Sequence, residues 1–148
     1  MAKLFTTLLL IISLAIPELH AQADALLGTW MPSNGRSKVK VEKKANGKYY
    51  GKIIWLVEPK NADGTDRTDK ENATTALKTR KLMGSEILTG FVYDADDKEW
   101  ADGEIYDPKN GKTYSCVITL TNANSINVRG YVGISWIGRT DAWTKVKE

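Results

Sequence analysis

The chain has 148 residues, with 21 Lys and Arg against 18 Asp and Glu, a formal net charge of +3 and 42% hydrophobic residues. The basic excess is mild and spread along the chain, unlike the clustered basic stripe of a nucleic-acid binder, so nucleic acid is not an expected partner. One cysteine, Cys116, excludes an intrachain disulfide framework.

Residues 1–23 have the three-part form of a secretion signal. Lys3 supplies a positive start, residues 4–16 are mostly apolar, and Ala21-Gln22-Ala23 has the small-x-small form of a cleavage site. The apolar run is too short to span a bilayer as a helix, and no longer one follows. The expectation is a cleaved signal over 1–23, a secreted and periplasmic location, no membrane span after cleavage, and one domain over 24–148. The only histidine, His20, would leave with the signal. That removes Ser-His and Cys-His nucleophilic chemistry and His-based zinc sites.

The remaining chain reads as a series of strands. Residues 25–30 form a short apolar strand ending in Gly28-Thr29-Trp30, and Met31-Pro32-Ser33-Asn34-Gly35 is turn material. Residues 37–44 alternate Val39 and Val41 against Lys38, Lys40 and Glu42. Asn46-Gly47 is a tight-turn signal, and residues 49–57 form the next strand. Its run Ile53-Ile54-Trp55-Leu56-Val57 is apolar on both faces.

Residues 58–82 are irregular and unusually long for a connection, the length at which lids and binding loops occur. A short helix is expected within 72–81, with Asn72 as N-cap. Asp63, Asp66, Asp69 and Glu71 cluster here, but their spacing does not match a calcium loop, so neither metal nor cofactor is expected. Residues 86–93 return to strand.

Residues 99–106 and 112–120 form the clearest hairpin. Asp107-Pro108 opens its turn and Asn110-Gly111 closes it, since Pro fixes φ and Asn and Gly tolerate positive φ. Gly103 marks a bulge. Tyr114, Cys116, Ile118 and Leu120 share one face of the second strand, so Cys116 reads as a buried hydrophobe. Strands over 125–132 and 138–146 complete the series. About eight strands with mostly short turns predict an all-β antiparallel up-and-down barrel, favoured over a sandwich because closure removes exposed edges.

The motifs Gly28-x-Trp30, Tyr50-Gly51-Lys52-Ile53, Trp55, Pro59, Asp69-x-x-Asn72 and Leu82-x-Gly84 form a recognisable set. With them go the run 103–114, Arg129-Gly130-Tyr131, Gly138-Arg139-Thr140 and Trp143. Across 24–148 the chain resembles the secreted bacterial family called domain of unknown function 2147. The resemblance implies a small lipocalin-like barrel and no established activity. The two ends are also similar to those of avidin-type barrels, where a Gly-x-Trp on the first strand packs near the last strand under a basic side chain. By that analogy Gly28, Trp30, Arg139 and Trp143 close the barrel, with Arg139, or second Arg129, covering Trp30. Nothing matches the biotin-contacting loops of the avidins.

Trp55, Trp100, Tyr106, Tyr114 and Tyr131 combine an apolar body with a polar tip, which suits a cavity for a small amphipathic or apolar molecule. Interior filling of a small barrel uses the same residue types. Arg129 would anchor a carboxylate or phosphate if its face points inward. The alternation of Ile126, Val128 and Val132 favours the outward orientation. No catalytic constellation is present, and the chain reads as non-enzymatic. The primary expectation is a ligand-binding barrel. The alternative is an envelope structural or protein-interaction module with a filled barrel, its partner face being the 58–82 loop and the Trp136 region.

Overall fold

A computed structural model describes residues 15–134 and 137–147. Eight strands run in chain order around a closed antiparallel barrel. They are β1 (Gly28–Met31), β2 (Ser37–Lys43), β3 (Tyr49–Leu56), β4 (Glu86–Asp94), β5 (Glu99–Asp107), β6 (Lys112–Asn122), β7 (Ser125–Tyr131) and β8 (Gly138–Lys145). Every strand pairs with its sequence neighbours, and β1 pairs with β8 through Trp30↔Lys145 and Met31↔Thr144. Each strand therefore has a partner on both sides, with β1 covering only the last part of β8. A helix, α1 (Ala15–Ala23), and a single 3₁₀ turn, Asp24–Leu26, precede β1. The expected strand over 25–30 is therefore shorter, because residues 24–26 turn under the barrel before β1 begins. No helix among the described residues is long and apolar enough to cross a membrane.

Alternation along the strands builds the interior. Val39 and Val41 of β2, Cys116 and Ile118 of β6, and Ile126 and Val128 of β7 are all buried. Burial pushes the Cys116 thiol up to about 12, which makes it an inert packing group at neutral pH. Bulges interrupt the alternation, one of them between Trp100 and Gly103 in the β5–β6 ladder. There Gly103 makes room for the Phe91 ring, since a Cβ at 103 would stand 2.4 Å from it.

One end of the barrel is sealed by the segment before β1. The Trp30 indole N–H donates to the Leu26 carbonyl (2.9 Å), and the Trp100 indole N–H donates to the Ala23 carbonyl (3.0 Å). The Tyr49 hydroxyl donates to Asp24 Oδ1 (2.7 Å), which also accepts from Lys43 Nζ (3.2 Å). The hydrogen bond from Tyr49 holds the Asp24 carboxyl below its usual range, and burial together with Asp24 pushes the Tyr49 phenol up. Lys145 Nζ lies 5.1 Å from the centre of the Trp30 ring. Lys145, and neither Arg139 nor Arg129, is thus the cation on Trp30. The reason is register: antiparallel pairing sets Trp30 opposite Lys145, while Arg139 starts β8 about 20 Å away along the strand.

The β5–β6 turn follows its sequence chemistry. Asp107 Oδ1 accepts from the Lys109 amide (2.9 Å), Asn110 Oδ1 accepts from the Lys112 amide (2.9 Å), and Gly111 has φ +72°. A Cβ at 111 would also come within 1.8 Å of the Glu71 carbonyl oxygen. Gly111 is therefore required twice, for its backbone and for the docking of the long loop against the hairpin. That loop carries only a single 3₁₀ turn, Thr75–Leu77, in place of the expected longer helix. Asn72 Oδ1 still accepts from the Thr74 amide (2.9 Å), so the residue organises a turn but no regular helix follows it.

Trp30→Ala removes one of the two buried indoles of the sealed end and is expected to cost about 3–5 kcal/mol in urea unfolding. A loss below about 1 kcal/mol would place that ring outside the stabilising core.

Candidate functional site

The other end of the barrel is open. Its rim consists of the β1–β2 turn, the start of the 58–82 loop, the β5–β6 turn and the first residues of β8. Here lies a cavity of about 690 Å³. Ile53, Ile105, Val128, Trp143, Leu56 and Tyr114 supply its apolar wall, and Gly130 faces it without a side chain. The rim is polar. Arg36 and Arg67 both donate to the same oxygen of Glu58, at 3.0 and 2.9 Å. Asp141 lies on the wall, where Oδ2 accepts from the Trp143 indole N–H (2.8 Å) and Oδ1 accepts from the Ser33 hydroxyl.

The aromatic candidates separate into groups. Tyr114 points inward, and its hydroxyl accepts from Asn110 Nδ2 (2.9 Å). Trp100 points inward at the sealed end, away from the cavity, where it packs 5.1 Å from Tyr93 with its N–H committed to Ala23. Trp55 lies on the outer surface with Lys38 Nζ 5.1 Å from its ring. Tyr131 and Arg129 also face outward, in register with Ser115 and Val117 of the outer face of β6. Arg129 donates to Thr140 Oγ1 (2.8 Å). Tyr106 borders the cavity, but its hydroxyl is bound on the outer side by the long loop. Of the residues assigned to closure, Gly28 and Trp30 lie at the sealed end. There a Cβ at Gly28 would sit 3.1 Å from Lys145 Cε. Trp143 and Arg139 instead line the cavity. Trp136 lies outside the described residues.

Bulges explain two of the misplaced aromatics, Trp55 and Tyr106. Counting by twos from Ile53 puts Trp55 inside, but the β2–β3 register shifts between Lys38↔Trp55 and Val39↔Ile53 and turns Trp55 out. Counting by twos from Trp100 puts Tyr106 inside. The bulge before Gly103 moves Gly103 and Ile105 to the interior instead. On β8 the alternation is regular, so the inward face of Trp143 also carries Asp141 and Arg139. That pattern is a usable signal for Asp141, which the motifs alone do not reveal, and for the inward placement of Arg139.

The long loop is fastened to the outer wall beside the cavity by one buried carboxylate. Asp69 accepts from the Tyr106 hydroxyl (2.6 Å), Asn72 Nδ2 (2.8 Å) and Arg80 Nε (2.8 Å). Burial raises the Asp69 carboxyl, but these hydrogen bonds and the Arg80 charge outweigh it and hold the group below its usual range. A lowered folded value means a contribution complete above the ordinary Asp range and lost as pH falls through the folded value. Asp69→Asn is expected to cost about 2 kcal/mol at neutral pH. The gap from wild type should narrow progressively in urea titrations once pH drops below about 4. A gap that widens on acidification would contradict this assignment.

No curated protein matches the chain. The chain is similar to a solved structure described as "Protein HP1028 from the human pathogen Helicobacter pylori belongs to the lipocalin family". The TM-score is 0.69 at 22% identity, over 83% of this chain and 84% of that one, and the likeness is one of fold. The model of the family described as "Uncharacterized protein conserved in bacteria (DUF2147)" matches residues 28–145. A closed eight-strand barrel carrying that family's pattern over nearly its whole length leaves one conclusion: the chain belongs to this family.

Proposed function

We propose that this protein is a non-catalytic binding module that takes a small, partly apolar molecule into the open end of its barrel. The observation that carries the reading is the amphipathic cavity of about 690 Å³ opposite a sealed end. Its volume falls in the range of sites that enclose small organic ligands, roughly 300–1,000 Å³. An apolar wall with a few polar groups at the rim is the composition such sites use. The lipocalin classification of the structural neighbour accords with it. The alternative of a solid, interaction-only barrel is disfavoured by the same cavity.

A neutral apolar fluorophore, phenylnaphthylamine, is expected to bind saturably and to change the emission of Trp143. Gly130→Val narrows the cavity, since its Cβ would already lie 3.3 Å from Ile105 Cγ2. It should weaken the probe by about tenfold or more while the cooperative melt is retained. Probe binding indifferent to this substitution would defeat the cavity reading.

We also propose export, with cleavage after Ala23, on the strength of the Lys3, apolar and Ala21-Gln22-Ala23 pattern. Cleavage there would retain Asp24 with its Tyr49 and Lys43 partners and remove the Ala23 carbonyl that accepts from Trp100, the Ala23 side chain packed on the core and the Gln22 side chain that accepts from Tyr93. Intact mass of the exported protein should correspond to a chain beginning at Asp24. A full-length mass in a periplasmic fraction would refute the cleavage site.

A further inference from the structure

We infer that the cavity selects an anionic amphiphile, with Arg139 holding the oxyanion head at the rim and the apolar body lying against Trp143, Ile105 and Val128. The inference rests on the binding role proposed above and adds the class of ligand.

The argument begins with which charges are already used. Among the described residues four basic side chains line the cavity, Arg36, Arg67, Lys109 and Arg139, against three carboxylates, Glu58, Asp107 and Asp141. Glu58 is shared by Arg36 and Arg67. Asp107 is turned to the Lys109 amide. Asp141 stands two residues from Arg139 on the same inward face of β8, yet its two oxygens are taken by Ser33 and Trp143. Among the described residues no carboxylate approaches Arg139 within salt-bridge distance. The rim therefore holds a guanidinium, always charged and shaped for bidentate contact with an oxyanion, with no carboxylate partner among the described residues.

The neighbouring surface suits such a head. Gly130 lies beside Arg139 in the β7–β8 ladder and leaves the wall bare between Arg139 and Tyr114. The Tyr114 hydroxyl accepts from Asn110, so its own proton is available to donate. Deeper in, the wall is apolar. A charge at the mouth and an apolar wall beneath it match a molecule with one acidic end and a ring or short chain at the other. A cationic ligand would meet the reverse arrangement, because every carboxylate of the lining is engaged.

Two probes with the same aromatic body separate the head from the tail: anilinonaphthalene sulfonate and the uncharged phenylnaphthylamine. Both are titrated against the full chain, against Arg139→Gln and against Arg139→Lys. The sulfonate should bind the unaltered protein about tenfold tighter than the neutral probe, the worth of one charge-assisted contact at a partly exposed rim. Arg139→Gln should abolish that preference while leaving the neutral probe within about twofold, and Arg139→Lys should retain part of it. Salt near 1 M should weaken the sulfonate alone, because the rim charge is then screened within about 3 Å. Equal affinities for the two probes, or a sulfonate affinity unchanged in Arg139→Gln, would overturn the inference and leave the cavity reading standing. Absence of saturable binding by either probe would overturn both. Arg139 is exposed, so its variants leave the core untouched, and the melt of each variant confirms that the comparison is between folded proteins.

Discussion

The structure depends on the meeting of Trp30 with Lys145. This pair joins the first strand to the last and converts an open meander into a cylinder. It also fixes which end is sealed. With Trp30 opposite Lys145, the Leu26 carbonyl is brought beneath the indole N–H, and the 3₁₀ turn is held across the barrel floor. An indole N–H buried without an acceptor costs of order 1–3 kcal/mol, so the turn and the ring require each other. Trp100 repeats the arrangement with Ala23, and Tyr49 with Asp24. Three large aromatics therefore hang their polar tips on one short stretch of backbone and side chain. The segment before β1 is as much a part of the core as any strand.

Because three bulky rings gather at that end, the opposite end is less completely filled. Gly130 and Ile105 face the space that another Trp would fill, and Trp143 forms its wall. The cavity is a consequence of uneven filling in a cylinder of fixed circumference. Its polar rim comes from turns, where side chains are free of the barrel's alternation.

The barrel was legible in the sequence because its strands are short, alternate well and are punctuated by turns such as Asn46-Gly47 and Asp107 to Gly111. Register across those turns follows from local chemistry, and closure follows from edge avoidance. The wall of the cavity was less legible. Period-two counting survives on β7 and β8, and there the orientation of Arg129 and of Trp143 can be read directly. It fails on β3 and β5, where a bulge inserts one residue and reverses the side for all that follows. Trp55 and Tyr106 were misplaced by that reversal. The Arg139 analogy failed for another reason: a Gly-x-Trp motif identifies the ring but does not say which end of the last strand lies over it, and only register does.

The reversal on β5 has a structural consequence beyond misreading. Turned outward, Tyr106 presents its hydroxyl to Asp69, and through Asp69 to Asn72 and Arg80. The carboxylate that accepts all three is buried, so its charge is stabilised only while the loop remains in place. The same tyrosine borders the cavity. One side chain thus links the wall of the cavity to the anchoring of a long connection that would otherwise be loosely held. A bulge that looks like an interruption of the sheet is what brings the loop and the cavity into mechanical contact, because without it Tyr106 would occupy the interior and Asp69 would have no hydroxyl to meet.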